Sequence, residues 1–236
     1  MKVCKFERMN NEDEVKQVIG CIQKEHPYVA VIPVLTQLQE WLQAISVSWF
    51  HEEDETSHTI VNAIEEYCRT LTDRLISDRK LNQDMKVQIE KCIEKIQVLV
   101  EDKADLLTDK IIKAEVYGLS NELFACCLRQ QGLRAQTLDT GKFMQINLER
   151  KPDIPYIKES VQQYISEKRD ADIFIAPLSL CKNVYGETDF MNEKRNDYYA
   201  TVLATAFGAD ELLLSTQINH IYANRNSRRE QHSLTY

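Results

Sequence analysis

Glycine is scarce in this chain. Six occur in 236 residues, at Gly20, Gly118, Gly132, Gly141, Gly186 and Gly208, where ordinary usage of about 7% would supply roughly sixteen. Loops that hold phosphate rely on glycine, because a bare Cα lets successive backbone N–H groups close on the anion. No two of the six stand near each other, and they form neither a Walker-type loop nor a Gly-x-Gly-x-x-Gly turn. The shortage counts against an ATP-using enzyme. Long apolar runs are also missing: none reaches the ~20 residues that span a bilayer. Met1–Phe6 lacks the apolar stretch of an export signal, so the expectation is a cytoplasmic protein with no membrane partner. Positive charge does not dominate, with 29 Lys and Arg against 37 Asp and Glu and a net charge of −8. That balance argues against nucleic acid, which calls for a clustered basic face.

The seven cysteines, Cys4, Cys21, Cys68, Cys92, Cys126, Cys127 and Cys181, include no Cys-x-x-Cys spacing. Most fall inside apolar patterns and read as reduced core thiols. Cys126 and Cys127 are neighbours on a helix and face different ways, so they are not a redox pair. No Gly-x-Ser-x-Gly elbow is present, and no histidine has the context to activate a nucleophile, which sets a hydrolase aside.

What is present is an ordinary globular balance, 43% hydrophobic and 28% charged. A chain this long buries roughly 70–75% of its unfolded surface and needs no disulfide or metal staple. Lys2–Phe6 reads as an opening strand, and Met9-Asn10-Asn11 caps a helix to about Lys24, with Val15, Val18, Ile19 and Ile22 as its stripe. His26-Pro27 stops that helix. Tyr28–Val34 is a strand covered on both faces, and a short helix follows at about Gln37–Ile45. Helical spacing then holds over His58–Ile76, Met85–Val100 and Leu106–Gln131, the last stopping at Gly132. Strands are expected at Arg134–Leu138, Asp172–Pro177 and Glu211–Thr216, with helices at Ile154–Lys168 and Asn196–Gly208 between them. Such alternation implies a mostly parallel sheet with helices on both faces. From about Ala223 the chain turns polar and reads as a frayed tail.

Four stretches, in order, resemble the aspartokinase branch of the amino acid kinase family. Val3-Cys4-Lys5-Phe6 is similar to its first strand, which runs into Lys-Phe-Gly-Gly-Thr-Ser. Leu128 to Asp139 resembles the passage from helix to strand that ends in Leu-Asp. Asn196-Asp197-Tyr198-Tyr199-Ala200 stands where that family has Ser-Asp-Tyr-x-Ala. Gly208-Ala209-Asp210-Glu211, the leucine strand, Thr216 and Ile221-Tyr222 resemble its nucleotide-binding end. The resemblance implies an αβα three-layer sandwich over residues 1–222, a helical lobe inserted at about 52–131, a polar tail at 223–236, and no paired regulatory ACT modules.

Carried over residue by residue, the resemblance implies that Lys5 and Asp197 are relics of the catalytic motif. Thr216 and Tyr222 are relics of the nucleotide strand. Around them the pattern fails. Glu7-Arg8-Met9-Asn10 replaces Gly-Gly-Thr-Ser, and Pro33-Val34-Leu35-Thr36-Gln37 replaces a Ser/Ala/Gly-rich loop. Glu115-Val116-Tyr117 stands where a helix should offer a substrate-holding Gly-Glu pair. Asn192-Glu193-Lys194-Arg195 stands where Gly-Arg-Gly-Gly should grip an anion. Phosphoryl transfer is almost wholly positioning and electrostatics, and one lost donor costs roughly 10²–10³ in rate. The expectation is therefore an inactive homologue with no firm cofactor, acting as a binding, regulatory or scaffold protein with a protein partner or a second copy. The alternative is a divergent kinase moving phosphate from Mg·ATP to the side chain of L-aspartate or a similar substrate. It rests on Lys5, Asp197, Thr216 and Tyr222, with Arg8, Lys194 or Arg195 as the side chains that could rebuild a phosphate site in place of backbone amides. The run His51-Glu52-Glu53-Asp54-Glu55 with His58 reads as a solvated helix start rather than a metal site, and Trp41 and Trp49 read as core or interface anchors.

Overall fold

The computed structural model describes residues 1–166, 168, 170–191, 196–217 and 220–225, with backbone alone at 54, 216–217 and 220–225. β1 (Lys2–Lys5) opens the chain. α1 (Glu12–Glu25) follows. The Asn11 side chain accepts the Glu14 N–H at 3.0 Å, three acids fill the first turn, and His26 ends the helix in a left-handed conformation with φ 46°. β2 (Val29–Ile32) is buried along its whole length.

α2 (Thr36–Phe50), α3 (Asp54–Leu75), α4 (Arg79–Glu101) and α5 (Leu106–Arg129) form the helical stretch. α2 runs past its expected end at Ile45 because Trp49 is a buried anchor, its indole N–H donating to the Asp102 carbonyl at 3.0 Å. α4 starts before Met85 because the Asp78 side chain caps it on the Leu81 N–H at 2.9 Å, and its solvated first turn shows no apolar period. Gly132, at φ 85°, takes the conformation that lets the chain turn out of α5.

β3 (Ala135–Thr137), a single 3₁₀ turn (Thr140–Lys142), α6 (Ile154–Ser166) and β4 (Ile173–Pro177) come next. A small antiparallel hairpin, β5 (Leu180–Lys182) and β6 (Thr188–Phe190), then leads to α7 (Asn196–Ala206), β7 (Glu211–Gln217) and β8 (His220–Arg225). The main sheet has the order β3-β4-β2-β1-β7-β8 and is parallel except for β8.

β8 corrects the expected tail. Ala223, Asn224 and Arg225 pair with Leu213, Leu212 and Glu211. The strand's sequence, HIYANR, mixes polar and apolar residues without alternation and so resembles a loop. Residues 226–236 of that tail lie outside the described ones.

Alternate residues of the central strands face two cores. Cys4, Ala30, Ile32, Ile175 and Leu213 pack with α1–α5, while Val3, Val29, Val31, Phe174 and Leu212 pack with α6 and α7. The result is an αβα three-layer sandwich.

The β5–β6 hairpin is pinned to α5 by a buried acid. Asp189, 2% exposed, receives Arg150 at 3.0 and 3.2 Å and Lys110 at 3.1 Å. Burial alone would raise its pKa, but Arg150, the Phe190 N–H and Lys110 outweigh it and hold the carboxyl below its usual value. A depressed folded pKa gives stability that is present above the unfolded value, about 3.9, and lost as pH falls through the folded one. In urea unfolding between about pH 6 and pH 3, the midpoint should therefore fall more steeply for the native chain than for Asp189→Asn. Parallel curves would show that Asp189 titrates alike folded and unfolded.

Candidate functional site

Open parallel sheets bind ligands at the carboxyl ends of their strands. Here β1 ends on Lys5 and runs into Glu7 and Arg8, β2 runs into Pro33-Val34, and β4 into Leu178-Ser179. Lys5 lies opposite Val31 of β2 and Leu214 of β7, in the middle of the sheet. Its side chain is only 2% exposed.

Two carboxylates meet its ammonium. Glu7 pairs with it directly, and Asp197 Oδ1, at the start of α7, lies 3.1 Å away. The fold thus brings Lys5 and Asp197 together from opposite ends of the sequence. The cation is buried, whereas the side chains of Glu7 and Asp197 are 38% and 64% exposed. One positive charge faces two negative ones, so this locus offers no attraction to an incoming phosphate.

The loop after β4 closes over the same region. Ser179 is buried with φ 70°, a conformation uncommon for a residue with a Cβ. Its carbonyl accepts the Met191 N–H at 2.8 Å, and its hydroxyl donates to Asn196 Oδ1 at 3.3 Å. The cavity that remains, lined by Arg8, Pro33, Val34, Gln39, Ser179 and Asn196 among others, measures about 30 Å³. That is room for about one water. Tyr117, where the resemblance places a substrate-holding acid, forms part of the wall and packs edge-on against Phe190 at 5.3 Å.

Thr216 and Tyr222 lie on the β7–β8 hairpin, described there by backbone alone. Tyr222 is opposite Leu214, which is itself opposite Lys5, so the two sit at one level of the sheet. Lys194 and Arg195 lie outside the described residues. Arg8 lines the small cavity.

The thiols offer no second chemistry. Burial pushes Cys4, Cys68, Cys92, Cys127 and Cys181 up to about 12 and Cys126 to about 11, which keeps them protonated and poorly nucleophilic. Among the described residues no group of three or more His, Cys, Asp or Glu is placed to hold a metal ion. Trp41 packs edge-on against Tyr67 at 5.3 Å.

A much larger cleft, about 830 Å³, opens at the carboxyl end of the edge strand β3. Sequence reasoning did not find it. Its residues are gathered from α4, α5, β3, the 3₁₀ turn, β5 and α6, elements spread along the chain, and no local motif marks them.

Comparison with known proteins gives four concordant matches. The profile of the amino acid kinase family matches residues 69–235. The chain is similar in structure to E. coli aspartokinase III in complex with aspartate and ADP, at 20% identity and TM-score 0.75, over 91% of this chain and 48% of that one. It is also similar to the same enzyme in complex with lysine and aspartate (21%, TM-score 0.79, 95% and 53%). Aspartate kinase of Clostridium acetobutylicum aligns at 11% identity and TM-score 0.70, over 93% and 48%. This chain spans about half the length of each of them. No curated protein sequence matches it.

The Lys5 geometry sets the sign of two substitutions. Lys5→Met removes the buried charge and leaves two acids that water can reach, so unfolding free energy should change by no more than about 1.5 kcal/mol. Removing both acids, as Glu7→Ala with Asp197→Ala, strands a buried cation and should cost about 3–5 kcal/mol. Urea unfolding of the two variants decides it; equal losses would mean that the acids do not compensate Lys5.

Proposed function

This chain belongs to the amino acid kinase family, and on that premise we propose that it is a degenerate aspartokinase homologue without phosphoryl-transfer activity, kept as a binding, regulatory or scaffold protein. One observation carries the reading: the buried Lys5 ammonium is already matched by Glu7 and Asp197, and the cavity lined by their chain neighbours Arg8 and Asn196 measures about 30 Å³. Small-molecule sites usually measure about 300–1,000 Å³. One of the structural relatives holds aspartate and ADP. The described residues here do not fit Mg·ATP, because the glycines that would expose backbone N–H groups are absent and Glu7 stands among the groups that phosphate would approach.

Catalytic loss follows from the same features. The transition state spreads negative charge over the transferred phosphoryl group and is stabilised by cations and donors fixed in place beforehand. Glu7, which stands in place of a glycine, pairs with Lys5 in the resting protein and opposes that charge. What the domain keeps is its shape: two packed cores on one sheet, with long exposed helices available to a partner chain or a second copy.

The second reading, a divergent aspartate kinase using Mg·ATP, is favoured by one fact: Lys5 and Asp197 survive together and touch. Calorimetric titration with Mg·ATP, with and without L-aspartate, separates the two. We expect neither heat nor thermal stabilisation at millimolar nucleotide. A working site would stabilise the fold by about 2.7 kcal/mol at a hundred times Kd. Micromolar ATP binding that Lys5→Ala abolishes, followed by a hydroxamate trap that captures an acyl phosphate, would establish the kinase instead.

A further inference from the structure

We infer that the large cleft at the end of β3 is a binding site for a small anion carrying two or more carboxylate or phosphate groups. It lies apart from the Lys5 locus, since β4 and β2 separate β3 from β1. Its volume of about 830 Å³ is that of a small-molecule site.

Charge is the first argument. Among the described residues, five lysines (Lys91, Lys95, Lys142, Lys168 and Lys182) line the cleft against three carboxylates, in a chain whose net charge is −8. The carboxylates are engaged. Glu115 holds Lys95 at 2.5 Å, Glu122 holds Arg129, and Asp139 lies 4.0 Å from Lys142. Among the described residues, the Lys168 ammonium has only the Thr137 carbonyl at 3.3 Å and the face of the Tyr164 ring at 5.2 Å. The ammonium groups of Lys91 and Lys182 have no hydrogen-bond or ion-pair partner among the described residues. Such a surplus in an acidic protein attracts anions, and it is stronger inside a cleft, where low-dielectric walls focus the field.

The second argument is independent of charge. Asn121 of α5, 2% exposed, lines this cleft, and its amide nitrogen has no hydrogen-bond partner among the described residues. A buried donor left without a partner is costly, and a ligand carboxylate or phosphate oxygen that reached it would remove that cost.

The third concerns space. Gly118 lies one turn before Asn121 on the same face of α5, and a Cβ built there meets nothing within 4 Å. Glycine inside a helix is disfavoured relative to alanine, and no packing contact requires it here. It keeps the floor of the cleft open. The mouth is fixed by Tyr164, whose hydroxyl accepts the Asp139 N–H at 3.0 Å and whose ring is flanked by Lys142 as well as Lys168.

Ammonium groups on flexible stems act as point charges and take carboxylate or phosphate alike, so citrate and inorganic pyrophosphate are tested separately at constant ionic strength, by calorimetry on the full chain. At least one should bind saturably at or below about 1 mM. Citrate alone would mark a carboxylate ligand, pyrophosphate alone a phosphate one. Gly118→Leu, which fills the floor and improves the helix, should weaken binding at least about tenfold, as should Lys91→Gln with Lys182→Gln. Lys5→Met should leave it unchanged, which keeps this result separate from the fate of the kinase reading. No saturable heat from either anion up to about 10 mM overturns the inference. So does binding that both cleft variants leave intact.

Discussion

β1 has four residues and no free edge. Lys2–Lys5 pair in parallel with β2 on one side and with β7 on the other, so residues 2 and 211 are neighbours in the sheet. This double pairing holds the fold together. It joins the first βαβ unit to the last, it sends alternate side chains into two separate cores, and it buries whatever stands at the strand's end. Lys5 stands there. A long cation buried at that position requires counter-charge, and the chain supplies it from the next loop and from the start of α7 rather than leaving it for a ligand.

Much of this was legible in the sequence. The stripe Val15, Val18, Ile19, Ile22 faces the core as its period requires, and Asn11 and Gly132 bound their helices as cap chemistry predicts. Lys5 and Asp197, matched from motifs far apart, do meet. What stayed hidden has physical reasons. β8 is an edge strand whose sequence, His220 to Arg225, shows no apolar alternation. The β5–β6 hairpin has strands of three residues, too short to show alternation, and it is held by Asp189, whose partners Arg150 and Lys110 lie far away in sequence. The direct pairing of Glu7 with Lys5 needed coordinates, because a Glu two residues along a strand points to the same side only if the chain stays extended.

The large cleft shows the same limit from the other side. Its lysines are spread over several elements, and each alone is an ordinary surface residue. Only the tertiary arrangement gives them a common direction, and only packing reveals that Asn121 beneath them is unpartnered. The glycines tell opposite stories at the two places. Their absence after β1 puts side chains over the backbone donors at the strand end, while Gly118 on α5 leaves a helix face bare where a cleft needs room.

The pairing of β1 with β7 also sets a schedule for synthesis. α3, α4 and α5 follow one another in sequence and pack as neighbours, so they can associate soon after they emerge from the ribosome. The sheet cannot. Its central strand is made first, and one of that strand's two partners is made some two hundred residues later. At about 5–20 residues per second, β1 waits on the order of ten seconds or more with one edge uncovered. Until β7 arrives, the nascent chain exposes a row of unpaired backbone groups in its most apolar region, a condition that invites chaperone capture.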